Sequence, residues 1–215
     1  MEDPAIQEAT ASEPLTLEEE YENQESWRES HDKLTFVLCQ PISDPAAADF
    51  AYVRAGQGDA PERMIGDINF FLYPFDDDEE GAAASDPEAD YCIGEVDIMI
   101  ADQAHRSKGL GRASVSAFMY YIFQNLQSIL QEYSTADSRP PPAGGNPKEL
   151  KLKMLMVKIK AGNAGSIALF KSLGFVQQGE VNYFGEIKMI LENFDQISST
   201  VLEGYKEIDY IRPLN

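Results

Sequence analysis

The sequence predicts a single α/β domain, a mixed sheet flanked by helices, and three observations lead there. Short runs rich in β-branched and aromatic residues alternate with segments of helical period, one helical segment is unusually long, and Pro- or Gly-bearing stretches separate them. The 215 residues, 43% of them apolar, are enough for one core.

Thr16-Leu17-Glu18-Glu19 has the form of a capping box just after Pro14 and predicts a helix from Leu17 to Ser30, with Leu17, Tyr21 and Trp27 on an apolar face that lines the core or a pocket. Lys33 to Gln40 reads as a strand. Ser43 to Glu62, with two Pro, two Gly and three consecutive Ala, reads as a connecting loop. Arg63 to Tyr73 is a second strand, closed by Pro74. Phe75 to Asp90 is an exposed acidic excursion before a third strand, Ile93 to Ile100, in which Val96, Ile98 and Ile100 alternate with Glu95, Asp97 and Met99.

A long helix is expected from Gly111 to Tyr133, because Val115, Phe118, Met119, Ile122, Leu126, Ile129 and Leu130 recur at three- and four-residue spacing. Ser134 to Asn146 carries three consecutive Pro and ends it. Leu150 to Lys160 alternates apolar residues with Lys and reads as a half-buried strand, Ser166 to Leu173 as a short helix stopped at Gly174, and Val181 to Leu191 as a last strand. Strand, helix, strand occurs twice near the end and predicts parallel pairing of the later strands. Residues 1–195 then form the domain and 196–215 an extension, with no internal repeat.

Lys and Arg number 17 against 37 Asp and Glu, a net charge of −20. Met1 to Asp32 holds eleven carboxylates against Arg28, and Asp76 to Asp90 holds eight with no base, so the rest of the chain is nearly neutral. This balance argues against nucleic acid and anionic membrane partners and allows a cationic one. Cys39 and Cys92 lie in apolar runs without metal-ligand spacing. No apolar run has the length of a membrane span and Met1 is followed by acids rather than a leader, which points to the cytoplasm without excluding the nucleus.

Chemistry is concentrated in the loop between Ile100 and the long helix. Gly109 and Gly111 stand two apart at a helix start, where free N–H groups of the first turn can cradle an anion, and Arg106, Lys108 and Arg112 add positive charge. Neither a Walker loop nor a dinucleotide fingerprint fits, since no Gly-Lys-Ser or Gly-Lys-Thr is present and Ser114 stands where a third Gly would be needed. His105 adjoins this loop, either facing solvent or touching phosphate, and His31 falls at a helix end where its charge suits the dipole.

Arg106-x-x-Gly109-x-Gly111 resembles the acetyl-CoA pyrophosphate loop of the GNAT superfamily of N-acetyltransferases. Asn163-Ala164-Gly165-Ser166-Ile167, followed by Leu173-Gly174-Phe175, resembles that superfamily's second signature. Thr10 to Glu18, Lys33 to Phe36, Gly66 to Leu72, Gly94 to Ala101 and Arg106 to Gly111 together look like the N-acetyltransferase 9-like branch over about Ala9 to Leu191. Against that branch, the segments 43–62, 75–90 and 134–146 are extra, and the resemblance implies a first strand and helix ahead of Thr10 that are missing here.

The resemblance implies acetyl transfer from acetyl-CoA to a primary amine of a protein or peptide by direct attack with both substrates bound and no metal, and the acidic appendages suit a cationic acceptor. It implies a cofactor site from Arg106, Ser107, Lys108, Gly109, Leu110, Gly111, Arg112 and Ala113, with Met99 and Ile100 beside the carrier arm and Asn163, Ser166 and Phe170 near its thioester end. Glu95 is the expected proton acceptor, with Asp97 in reserve, and Asn163 a further catalytic candidate. Many relatives have a Tyr where Phe170 stands, which leaves Tyr183, Ser166 or water to protonate the thiolate. The missing strand and Phe170 also allow a second reading, an acetyl-CoA-binding or interaction protein with weak or no turnover.

Overall fold

The computed structural model describes residues 14–41, 52–75, 89–136, 148–194 and 204–212. The first residues of the acidic head, including Thr10 to Glu13, and residues 43–51, 76–88 and 137–146 of the three extra segments lie outside the described residues.

Helix α1 (Leu17–Glu29) starts as the sequence predicts: the Thr16 N–H donates to Glu19 Oε2 at 2.8 Å and the Glu19 N–H to Thr16 Oγ1 at 3.3 Å. Its apolar face departs from expectation. Leu17, Tyr21 and Trp27 are all exposed and no residue of α1 is buried, because the helix lies beside β1 (Lys33–Cys39), the edge of the described sheet, rather than over its centre.

The expected loop from Ser43 to Glu62 contains β2 (Tyr52–Arg54), and the extension contains β8 (Asp209–Ile211), which pairs with β2 in parallel as a separate two-stranded sheet. Such three-residue strands show no readable period and exist through their partner. The main sheet adds β3 (Met64–Pro74), β4 (Ala89–Ile100), β5 (Glu149–Lys160), β6 (Val176–Gln178) and β7 (Glu186–Leu191), in the order β1-β3-β4-β5-β7-β6. Helix α2 (Leu110–Ala136) follows β4, and α3 (Ala164–Ser172) follows β5.

Only the first of the two expected parallel crossovers is present. β4 and β5 are parallel, but β5 and β7 are antiparallel. After α3 the chain forms β6 and turns back through residues 179–185, so β7 returns in the opposite direction; the expected strand Val181 to Leu191 is this turn plus β7.

The core lies between one face of the sheet and α2. Ile68, Phe70, Leu72, Val96, Leu155, Val157 and Met189 meet Val115, Phe118, Met119 and Ile122, each contributing about 1.5–3 kcal/mol on full burial. Gly94 makes room for this packing, since a Cβ there would sit 2.3 Å from the Phe70 ring. Cys92 is buried in the same cluster and its thiol is pushed up to about 12 by loss of hydration, which keeps it protonated. No helix among the described residues is long and apolar enough to cross a membrane.

Candidate active site

The β4–β5 ladder runs from Ala89↔Glu149 to Glu95↔Met156 and stops, although β4 continues to Ile100 and β5 to Lys160. Past Glu95 the far edge of β5 is held by β7, from Leu155↔Leu191 to Lys160↔Glu186. The two parallel strands therefore part, leaving the last residues of β4 paired on one side only, to β3. The Ala101 N–H donates to Ile65 O at 2.8 Å, which sets the alternation: Met99 bonds toward β3, while the backbone groups of Ile98 and Ile100 turn toward the gap.

The loop after β4 brings a helix mouth to this gap. Ser107 (φ 58°) and Gly109 (φ 80°) are both left-handed, and Ser107 is the one non-Gly residue with positive φ among those described. This turns successive N–H groups outward ahead of the free first turn of α2. The Arg106 N–H bonds Gln103 O and the Ala113 N–H bonds Gly109 O; between them the N–H groups from Ser107 to Arg112 have no acceptor among the described residues. The cradle is thus narrower than the Arg106-to-Ala113 span expected from sequence. A Cβ on Gly109 would meet nothing within 4 Å, so glycine is required there by conformation, not by crowding.

The basic residues divide their work. Arg106 points back along the strand, its Nε donating to Ile100 O at 2.8 Å and its Nη2 to Ala101 O at 3.3 Å, so it braces the strand end instead of projecting into the loop. Arg112 reaches α3, donating to Ser172 O at 3.3 Å and to Ser172 Oγ, while a Cβ on Gly111 would rest 3.5 Å from Leu169. The mouth of α2 is thereby fixed to the end of α3. Lys108 is exposed beside the cradle. His105 is tied to Asp102 at 2.7 Å, and Asp102 is held below the usual carboxylate range by the Ala104 N–H, then by His105. His31 sits 3.3 Å from Glu132, remote in sequence from this loop.

Asn163 is the N-cap of α3, its Oδ1 accepting from the Ser166 N–H at 3.1 Å, and both residues stay at the exposed start of that helix. Phe170 differs from expectation. It is 2% exposed and packs edge-on against Phe175 at 5.2 Å, a core side chain with no open surface toward a ligand. Tyr183 is 96% exposed in the turn before β7, which the Ala161 N–H to Gly185 O bond ties to the start of the Asn163 loop.

Opposite α2, the other sheet face carries acids. Register puts Asp67 beside Met99, Asn69 beside Asp97 and Phe71 beside Glu95, all on one side. Glu95 is 15% exposed at its side chain and pairs with Lys158 Nζ at 2.9 Å. Asp97 reaches solvent, yet protein crowds it from most sides; burial first, then the charges of Asp67 and Glu95, raise its pKa. Burial also raises Asp67, against a 2.8 Å hydrogen bond from Asn69 Nδ2 that lowers it. Sequence reasoning passed over Asp67 and Asn69, whose only signal was the polar interruption of an apolar run at period two. The described residues contain no metal-binding group of His, Cys, Asp or Glu.

A carboxyl whose folded pKa is raised destabilises the folded state while ionised, and that penalty disappears as pH falls through the raised pKa. Asp97→Asn is therefore expected to raise the melting temperature at pH 7, with the advantage over wild type vanishing on acidification. Thermal denaturation across pH measures it; an equal or lower melting temperature at pH 7 counts against the assigned burial and repulsion.

An acetyltransferase (GNAT) domain model matches residues 1–176. The N-acetyltransferase 9-like protein of Dictyostelium discoideum is 34% identical over 193 residues, spanning 90% of this chain and 74% of that relative. The N-acetyltransferase 9-like protein of Schizosaccharomyces pombe is 33% identical, spanning 89% of this chain and 84% of the relative. The alpha/beta-tubulin-N-acetyltransferase 9 of Drosophila melanogaster is 34% identical, spanning 88% and 73%. Among solved structures, an aminoglycoside acetyltransferase in complex with coenzyme A is similar in fold, with a TM-score of 0.51 at 16% identity over 91% of this chain and 85% of that one. Family model, relatives and fold agree: the chain belongs to the GNAT acetyltransferase family and is an N-acetyltransferase.

Proposed function

We propose that this enzyme takes acetyl-CoA as its acetyl donor and acetylates a primary amine of a protein by direct attack in a ternary complex. The observation that carries this reading is the parting of β4 and β5 after Glu95↔Met156 beside a run of free amides. The diphosphate of the donor rests on the N–H groups of Ser107 to Arg112, and its pantetheine arm adds as a short extra strand along the open edge of β4. The Ile100 N–H, turned toward the gap, is placed to stabilise the oxyanion.

The amine nitrogen attacks the thioester carbonyl, the C–N bond forms and the C–S bond breaks. Glu95 accepts the proton that the ammonium must lose, directly or through water, with Asp97 as the alternate on the same face. The thiolate leaves with its pair and is protonated by water, since Phe170 supplies no hydroxyl and a free thiol of pKa about 8.5 is a competent leaving group. The relatives named for alpha/beta-tubulin favour a protein acceptor and make tubulin chains the first to test. A cytoplasmic location is part of the same proposal.

Isothermal titration with acetyl-CoA, followed by thiol release on free-amine peptides and tubulin, tests the reading; absence of acetyl-CoA binding overturns it. Glu95→Gln is expected to lower kcat by about 10²-fold, the scale of general base catalysis, while acetyl-CoA affinity stays within about twofold. Unchanged kcat would clear Glu95 of the role.

A further inference from the structure

Asn69 is 8% exposed, and its amide is half used. Nδ2 donates to Asp67 Oδ1 at 2.8 Å, while Oδ1 is buried with no hydrogen-bond partner among the described residues. Rotating the amide offers no remedy, because it would turn Oδ1 onto the Asp67 carboxylate, which when ionised only accepts. A buried orphan acceptor is costly and calls for a donor. No neighbour bonds it: Asn69 faces Asp97 across the β3–β4 register, Asp67 lies two residues along the same face, and Thr35 of β1, whose hydroxyl is able to donate, faces it from the other side without a hydrogen bond to it. On this face Lys158 is paired with Glu95 and Lys33 stands opposite Phe71, and no ion pair reaches Asp67 or Asp97 among the described residues.

We propose that Asp67, Asn69 and Asp97 form a subsite for a primary ammonium group, holding the acceptor's amine before transfer. Resting on the acetyltransferase reading above, the proposal deepens it by naming what recognises the acceptor. The chemistry matches donor for acceptor. A primary ammonium has three N–H donors and one positive charge, and the site has two carboxylates and one amide oxygen as acceptors with no cation of its own. A cation here relieves the repulsion from Asp67 and Glu95 that adds to burial in raising the Asp97 pKa. Location agrees as well. Asp97 is two residues past the last β4–β5 pair, on the strand that borders the gap, so an amine held there lies next to the donor's path. A quaternary ammonium has the charge but no N–H, and an N-acetylated amine has lost the charge; both are poor ligands for this subsite.

The test uses the full chain labelled with 15N, n-propylammonium as probe and tetramethylammonium at equal ionic strength as control. Asn69→Leu identifies the Asn69 side-chain NH₂ resonance by its disappearance. The expected result is a saturable shift of that resonance with n-propylammonium only, weakened about tenfold in Asp97→Asn, in line with loss of one charge-assisted bond. Asp97 is exposed, so that variant reports even where Asn69→Leu fails to fold. In transfer assays Asp97→Asn should raise KM for a free-amine peptide about tenfold with acetyl-CoA affinity unchanged. Equal shifts with both cations, or undiminished n-propylammonium affinity in Asp97→Asn, overturn the subsite. Failure of acetyl-CoA to bind in a parallel titration would instead overturn the transferase reading, while the ammonium result stands separately.

Discussion

Gly109→Glu is expected to abolish acetyl-CoA binding, with affinity falling by at least about 10²-fold. Two effects act together. The residue has φ 80°, where a side chain costs about 1–2 kcal/mol, so the loop resists the turn that directs its amides outward. The new carboxylate also brings negative charge to a cradle built for a diphosphate. Open space around the position means that the fold itself should survive, with a stability loss near the conformational cost alone. Gly109→Asn separates the two effects, since Asn tolerates this conformation and adds no charge, and it should keep affinity within a few-fold of wild type. Calorimetric titration decides it: normal acetyl-CoA affinity in the Glu variant would remove this loop from the donor site.

Gly66→Ala is expected to have the largest effect on stability. A Cβ at Gly66 would lie 1.8 Å from Met99 O and 3.1 Å from Ile100 Cα, both backbone atoms, so no side-chain rotation can relieve the contact. Gly66 faces Ile100 in the β3–β4 register, and the end of β4 has to move away. Overpacking on this scale costs about 3 kcal/mol, or roughly 6–12 °C in melting temperature for a chain of this size. Donor affinity should fall too, because the displaced residues carry the backbone groups that face the gap and the Ile100 carbonyl that Arg106 braces. A melting temperature within about 2 °C of wild type would mean that the strand end is not closely seated on Gly66.

Elements governed by local chemistry were legible in the residues alone. Thr16 and Glu19 announced a capping box, and the apolar spacing from Val115 to Leu130 announced α2 to within a few residues at each end. What escaped depends on partners distant in the chain. β2 and β8 are three residues each and exist by pairing with one another, and the antiparallel β5–β7 ladder is a consequence of the β6 turn, which has no periodic signature. The site shows the same division. The free amides at the mouth of α2 could be read from Gly109 and Gly111, but the left-handed turn at Ser107 and the destination of each side chain could not. Phe170 had a position within a motif and turned out to fill the core, Arg106 had a charge and turned out to brace carbonyls, and Asn69 acquired meaning only when the register set it between two acids.

The separation of β4 from β5 has a kinetic corollary. Zipping the strands together would require β5 to move as one body with β7, to which its other edge is laddered from Leu155 to Lys160. The parting is a by-product of how the sheet is stitched and is present without a ligand. No strand among the described residues has to swing to form it, so the donor's capture should follow simple second-order kinetics, with an observed rate that climbs linearly with its concentration and never plateaus at a conformational limit.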